Sequence, residues 1–416
     1  MFLSLKGSLN TKFPRFKGIL DIYAGAAAAY SLRRLSKVAS SVVRVRRSSD
    51  NDEKDFTAAD VSSGAMTDWV GSAEWDDDAS SDSTSNWETV DSTISHSVDK
   101  YVLTYTATTQ WAILNTGPNL INNNPITISV DVKNGTSGNA AVYLGASNIG
   151  TGNQTLGQIG TTSDSWQTLT ATFNATSSAF NKPSIRFDMT SGTVEFKNFS
   201  ISQTGDGFVE TWYDQSGNGN DATQGTAGSQ PKIVDGGSLV ADGLDFDGVN
   251  DRLFGSHILN TDDVLYAAVV AKNKDLSKRG LYVNNLFYNS STDNGGFSVE
   301  AKTFNQAGNI VGWLDDTNVG ASVQDGLSSL TQDQVQLLSF DLSNGSSKFH
   351  LDGSLVNTFS TSMNSEDAGS LLNIGNSTSG TVPLEGSIKE IIIYNSDQSA
   401  NRAAIEANIN NQYDIY

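Results

Sequence analysis

The chain has 416 residues, of which 37% are hydrophobic and only 17% charged, so its polarity is carried by Ser, Thr, Asn, Gln and 38 glycines. That balance excludes a helical bundle, which draws on Ala, Leu, Glu and Lys, and six prolines without a long biased tract exclude a disordered chain. The absence of cysteine removes disulfides, zinc–thiolate sites and thiol nucleophiles, and a net charge of −20 argues against nucleic acid or membrane insertion.

The charge is uneven. Residues 1–50 hold ten Lys/Arg against two acids, a local +8 that leaves −28 on the rest. Residues 1–18 read as a docking arm. Gly7, Pro14 and Gly18 interrupt regular structure there, while Phe2, Leu5, Phe13, Arg15 and Phe16 offer apolar and basic anchors. The following run imitates a signal peptide, but Asp21 interrupts it and Arg33 and Arg34 end it, so no removable leader is expected. "AAAAYSLRRLSK", residues 26–37, predicts a short helix, with Ala28, Leu32 and Leu35 at helical spacing and cations at its C-terminal end. "SSVVRVRRSSD" then alternates like a strand.

An acidic, Ser-rich stretch, "EWDDDASSDSTSNWE", opens a segment covering residues 73–205. "KYVLTYTA", "ITISVDVKN", "AAVYLGA", "WQTLTATFNA", "SIRFDMT" and "VEFKNFSIS" alternate there with a period of two, which predicts a small antiparallel sandwich. A second β-rich run follows from "GDGFVETWYDQSGNGN", with strands in "LDFDGVNDRLF", "VLYAAVVAK", "VQLLSFDLSNGSSKFHLDG", "LLNIGN" and "GSIKEIIIYN". The last element, "QSANRAAIEANINNQY", predicts a helix buried along Ala400, Ala404, Ile405 and Ile409. The fold class expected is all-β: two antiparallel β-sandwiches of jelly-roll type, the smaller inserted into the larger, with a short N-terminal and a C-terminal helix.

The phrases "LDIYAGAAAAYSLRRLS", "VVRVRRSSD" and "FVETWYDQSGNGNDATQ" together resemble the catalytic domain of the α-L-arabinofuranosidase B family. The C-terminal strands, with "LDFDGVNDRL", "FHLDG" and "GSIKEIIIYN", resemble a laminin-G-like sandwich. The resemblance implies a concanavalin A-like sandwich split between residues 19–72 and 206–416. "NWE", "SDSWQTLTATFNA" and "SGTVEFKNFSIS" are similar to carbohydrate-binding modules of the family 4/9 type, which implies an inserted jelly roll at 73–205. Proteins combining such phrases are frequent among structural proteins of tailed bacteriophages.

Retaining glycoside hydrolysis needs two carboxyl groups about 5–5.5 Å apart. The resemblance places the family's acid where this chain reads "LNIGNSTSG", with Asn376 and Ser377 at the aspartate's position. The family's vicinal cysteines are missing, and the nearest counterpart of its nucleophile is Glu300 in "GFSVEAK", which otherwise reads as a solvent-facing strand residue. Asp214 and Asp221 fit the tight turns of "DQSGNGND" better than a replacement pair. Hydrolysis is therefore expected to be lost.

Sugar binding needs exposed aromatic faces beside directional polar groups. Trp111, Trp87 and Tyr105 are the candidate carbohydrate-binding residues, while Trp166 is expected in the core. Asp245, Asp247, Asn250 and Asp251 form a candidate calcium rim site, and Asp76, Asp77, Asp78 and Asp82 a second; turn chemistry alone accounts for both. The expected function is that of a bacteriophage virion protein (capsid decoration, neck or tail fibre). It would be homo-oligomeric, partnered by other virion proteins, and expose lectin-like sandwiches to surface glycans. The alternative is a secreted arabinofuranosidase-like hydrolase with an attached binding module.

Overall fold

A computed structural model describes residues 17–49, 51–71, 75–107, 110–114, 125–148, 152–155, 158–174, 182–203, 205–258, 264–288, 294–303, 306–315, 326–343, 346–359 and 371–416. The anchors Phe2, Leu5, Phe13, Arg15 and Phe16 lie outside them. The chain divides into two compact units: Met1–Val43, Thr211–Gln224 and Asp245–Tyr416 form one, and Arg44–Glu210 and Gly225–Leu244 the other. Residues 44–71, 206–210 and 225–244, expected with the larger sandwich, group with the inserted segment.

In the first unit the strands follow two antiparallel paths of one continuous sheet. One runs Ala26–Ser31, Glu385–Tyr394, Val264–Asn273, Val335–Ser343, Ser347–Leu351, Ser354–Phe359. The other runs Ala222–Thr223, Leu253–Gly255, Leu372–Ile374, Gly280–Tyr288, Asn294–Thr303, Gln306–Asp315, Gly326–Ser329. Ile391 to Tyr394 and Leu265 to Val270 are all buried, so these central strands read as continuous apolar runs rather than alternating ones.

The helix expected over 26–37 does not form. Ala26–Ser31 is a strand, and the N-terminal helix is the short Ile19–Ile22. Polyalanine favours helix by itself, but pairing with "EIIIY" and burial of Ala28, Ala29 and Tyr30 outweigh a propensity of a few tenths of a kcal/mol per residue.

The backbone of this strand finds further partners in the loop 213–220. Gln215 N donates to Ala29 O (2.8 Å), Asn218 Nδ2 to Ala26 O (2.9 Å) and Asn220 Nδ2 to Ala27 O (2.8 Å). Asp214 anchors the loop: Oδ1 accepts from Ala29 N and Ser216 N, and Oδ2 from Ser216 Oγ and Asn220 N. Gly217 and Gly219 adopt φ of +93° and +74°, which side-chain-bearing residues rarely adopt.

The C-terminal helix Arg402–Tyr413 packs Ile405 and Ile409 on Ala29, Tyr266, Ala268, Leu337 and Ile392. Ala400, in the turn before the helix, and Ala404 are exposed, and Glu406 is buried instead. Glu390, fully buried, receives a two-pronged contact from Arg33 (2.7 Å each) and hydroxyl bonds from Ser31 and Tyr413, both 2.9 Å. Glu406 is held by Arg402 (2.5 Å) and Ser339. Each carboxylate is partnered, as burial of a charge requires.

The inserted jelly roll stands in the second unit. One sheet runs Gly152–Thr155, Ala141–Asn148, Lys182–Asp188, Gln110–Leu114, Trp87–Val90. The other runs Gln167–Asn174, Pro125–Asn134, Thr193–Gln203, Lys100–Tyr105, Ser92–Ser97. Ile126, Ile128, Val130 and Val132 alternate inward as predicted, joining Phe187, Phe196 and Phe199 in one core.

Two outcomes test this account. Asp214→Ala removes a charged acceptor from four hydrogen bonds and is expected to lower unfolding free energy by roughly 3 kcal/mol in urea titration. Burial pushes the Asp341 carboxyl up to about 6, and burial pushes His350 down to about 4. A raised acid contributes stability below its unfolded pKa and loses it as pH rises through 6. The lowered histidine contributes above about 6.5 and loses it as pH falls through 4. Asp341→Asn should therefore abolish the loss on raising pH from 4 to 7, up to about 3 kcal/mol, and leave the opposing histidine slope.

Candidate functional site

On the jelly-roll sheet that begins with Gln167–Asn174, the residues opposite the core share a polar face. Thr168, Thr170 and Thr172 stand exposed there, between the buried Ala171 and Phe173 of the same strand. Across the ladder, Thr172 meets Thr127 (2.9 Å), Thr170 meets Ser129 (3.1 Å) and Thr168 donates to Asp131 (2.5 Å). The pairing shifts between Lys197 and Ser200, and Asn198, at φ +50°, turns its amide onto the other oxygen of Asp131 at 2.7 Å. Such a bulge re-aims a side chain.

A groove of about 460 Å³ lies here, walled by Asp131, Thr168, Asn198, Ser129 and Ser200, with Asp76 and Asp78 at its side. Trp166 belongs to the same face. It is half-buried rather than a core residue, with Lys197 Nζ 4.7 Å and Lys133 Nζ 5.9 Å from the centre of its ring. The expectation of burial failed because Trp166 precedes the strand at an outward-facing position, in register with Thr168.

The aromatic residues expected to bind sugar are placed otherwise. Trp87 is 6% exposed and packs edge-on against Phe196 and Phe199, so its faces are closed to a ligand. Tyr105 is half-buried against the core. The backbone of Trp111 lies in strand Gln110–Leu114, opposite Arg186 and Val90; its side chain lies outside the described residues. Trp87 and Trp111 stand on one sheet and Tyr105 on the other.

Neither acidic stretch forms a metal cage. Asp245 pairs with Lys274 (2.5 Å), Asp247 accepts from Val249 N and Asn250 N, and Asp251 accepts from Asp247 N. Asp77 accepts from Tyr101 and Ala79 N, while turn hydrogen bonds from Ser80 and Thr84 hold the Asp78 and Asp82 carboxyls below the usual range. Among the described residues no group of three or more His, Cys, Asp or Glu is placed to hold a metal ion. Asp247, Asp251, Asp78 and Asp82 close turns, while Asp245 is paired with Lys274 and Asp77 also accepts from Tyr101.

The catalytic candidates in the first unit are also engaged. Glu300 is 2% exposed, not solvent-facing, and bonded to Arg279 (2.6 Å) and Ser298 (2.8 Å). Asp214 holds its loop as described, and Asp221 accepts from Asp214 N. Asn376 is fully buried, its Oδ1 accepting from Ser377 N and Val382 N to shape the turn. A second concavity of about 540 Å³, which the sequence reading missed, adjoins the loop at Asn218 and Asn220 and includes His257, Asn395 and Ser396.

Residues 267–404 match the sequence profile of the concanavalin A-like lectin/glucanases superfamily. Among solved structures, domain 4 of an extracellular arabinanase from Geobacillus stearothermophilus, in complex with arabinotriose, is 14% identical, with TM-score 0.31 over 38% of this chain and 74% of that one. A sialidase carbohydrate-binding module from Ruminococcus gnavus, bound to α2,3-sialyllactose, is 16% identical, with TM-score 0.28 over 35% and 82%. A mutant Trypanosoma rangeli sialidase is 12% identical, with TM-score 0.34 over 49% of this chain and 31% of that one. No protein of curated function matches. The profile match places the likeness to that superfamily in residues 267–404, and the fold is all-β.

Glu300 is the buried member of its ion pair, while Arg279 is partly exposed. Glu300→Gln weakens the charge-assisted bonds from Arg279 and Ser298 and is expected to cost about 1–2 kcal/mol in stability, and turnover of an aryl arabinofuranoside should be no different from that of the parent.

Proposed function

We propose that this protein is a non-catalytic glycan-binding protein of a bacteriophage virion, and that the outer sheet face of its jelly roll is the contact surface. One observation carries the sugar-binding reading: Trp166, the hydroxyl ladder and the groove at Asp131 and Asn198 lie together on a solvent-facing sheet. Sugars present apolar C–H faces and directional hydroxyls, and this surface offers an aromatic ring beside fixed donors and acceptors. The lectin/glucanase-type sandwich at 267–404 supports the same class.

The non-catalytic part rests on what the carboxylates do. Glu300, Asp214 and Asp221 are all committed to bonds within the fold, and the position of the family acid holds buried Asn376. A buried amide cannot protonate a leaving oxygen at neutral pH. The virion part rests on the resemblance to phage structural proteins and on the charge split, −28 beyond residue 50 against +8 before it. An acidic display surface keeps particles mutually repulsive, and many weak copies, or a homo-oligomer, would gain by avidity.

A glycan array with the parent should reveal at least one bound sugar. Trp166→Ala and Asp131→Ala should each weaken that binding about tenfold or more, while Trp87→Ala should act through stability alone. Equal binding by the two face variants would remove the assignment. Turnover of an aryl glycoside by the parent would overturn the non-catalytic reading, and absence of the chain from purified particles by mass spectrometry would overturn the virion reading.

A further inference from the structure

Beside the start of the C-terminal helix, the first unit holds a cavity of about 270 Å³. Leu265 and Leu342 supply an apolar wall; Asp341, Asp397, Lys348 and Ser346 supply the polar one. The size suits one monosaccharide rather than a chain.

Asp341 is the unusual member. Its side chain is only 15% exposed, and Oδ1 is buried without a hydrogen-bond partner. The nearest guanidinium atom, Arg402 Nε, lies 3.9 Å from Oδ2, because Arg402 places Nη1 on Glu406 at 2.5 Å. One more buried polar atom on a neighbouring strand, His350 Nδ1, lacks a hydrogen-bond partner too. A carboxylate so placed costs stability unless a cation completes it. Burial, with Glu406 and Asp397 adding to it, raises its pKa to about 6 against the lowering effects of Arg402 and Lys348.

We propose that this cavity binds an aminosugar, its ammonium group on Asp341 and its hydroxyls on Asp397, Lys348 and Ser346. With Arg402 drawn to Glu406, the two lining carboxylates outnumber Lys348 and favour a cation over an anion. The leucine wall takes the C–H face of the ring, and the polar residues take its edge. The site lies in the other unit from the Trp166 face and uses none of its residues.

Calorimetric titration of the full chain with glucosamine tests this. The parent should bind with a dissociation constant of about 1 mM or tighter at pH 6.5, and glucose, which lacks the charge, should bind at least about tenfold more weakly. Asp341→Asn, checked for folding by near-ultraviolet circular dichroism, and Asp397→Asn should each reduce glucosamine affinity about tenfold. Affinity should fall as pH drops from 6.5 to 5, because the carboxyl takes up a proton. Trp166→Ala should bind glucosamine like the parent, which separates this site from the jelly-roll face. Equal binding of glucose and glucosamine, no glucosamine binding at all, or full affinity in a folded Asp341→Asn would overturn the assignment.

Discussion

The larger sandwich depends on how the backbone of one small-residue strand is satisfied. Ala26–Ser31 pairs with Glu385–Tyr394 and draws further bonds from a loop. Asparagine and glutamine side chains there act as substitute peptide groups, and the Asp214 carboxylate fixes their positions through four short bonds. Buried backbone polar groups must be paired, so a loop that can do this closes a sheet without adding a strand. The phrase "YDQSGNGN" is dense in amides, carboxylates and glycines for that reason. Gln215 illustrates the scheme, accepting from Leu35 N and donating to the carbonyls of Ser31 and Arg33.

The same logic governs the other buried acids. Glu390, Glu406 and Glu300 each sit against an arginine, and each is further bonded by a hydroxyl. These pairs set where the C-terminal helix and the adjoining strands lie. A carboxylate held in this way is poorly suited to exchange protons with a substrate, since its charge already has a fixed counterpart. Asp341 departs from the pattern: its arginine serves Glu406 first, and the remaining space is a cavity. The jelly roll differs again, because its polar groups stand on an outer sheet face and leave a groove open to solvent.

Much of this was legible in the residues. Period-two alternation marked the jelly-roll strands, and "ITISVDVKN" even indicates which residues face inward. The apolar run "EIIIY" marked a strand, and the structure added that its residues are buried on both faces. The turn chemistry of Asp214 and Asp221 followed from their Gly- and Asn-rich setting. Trp166, Trp87 and Glu300 were misplaced because a side chain's exposure depends on what the neighbouring sheet brings against it. The outward register of Trp166 could have been read from the Thr168, Thr170 and Thr172 that follow it.

By itself the sequence determined the class of the fold, the location of most strands and the C-terminal helix, because periodicity and turn residues act over a few positions. Tertiary structure alone decided that four alanines and a tyrosine extend as a strand, since a long-range partner outweighs local helix propensity. It also decided which acids are tightly paired and which, Asp341, keeps a carboxylate oxygen without a hydrogen bond. That outcome depends on pairs such as Ser31 with Glu390 and Ala29 with Asp214, far apart in the chain and joined only when the sheets close.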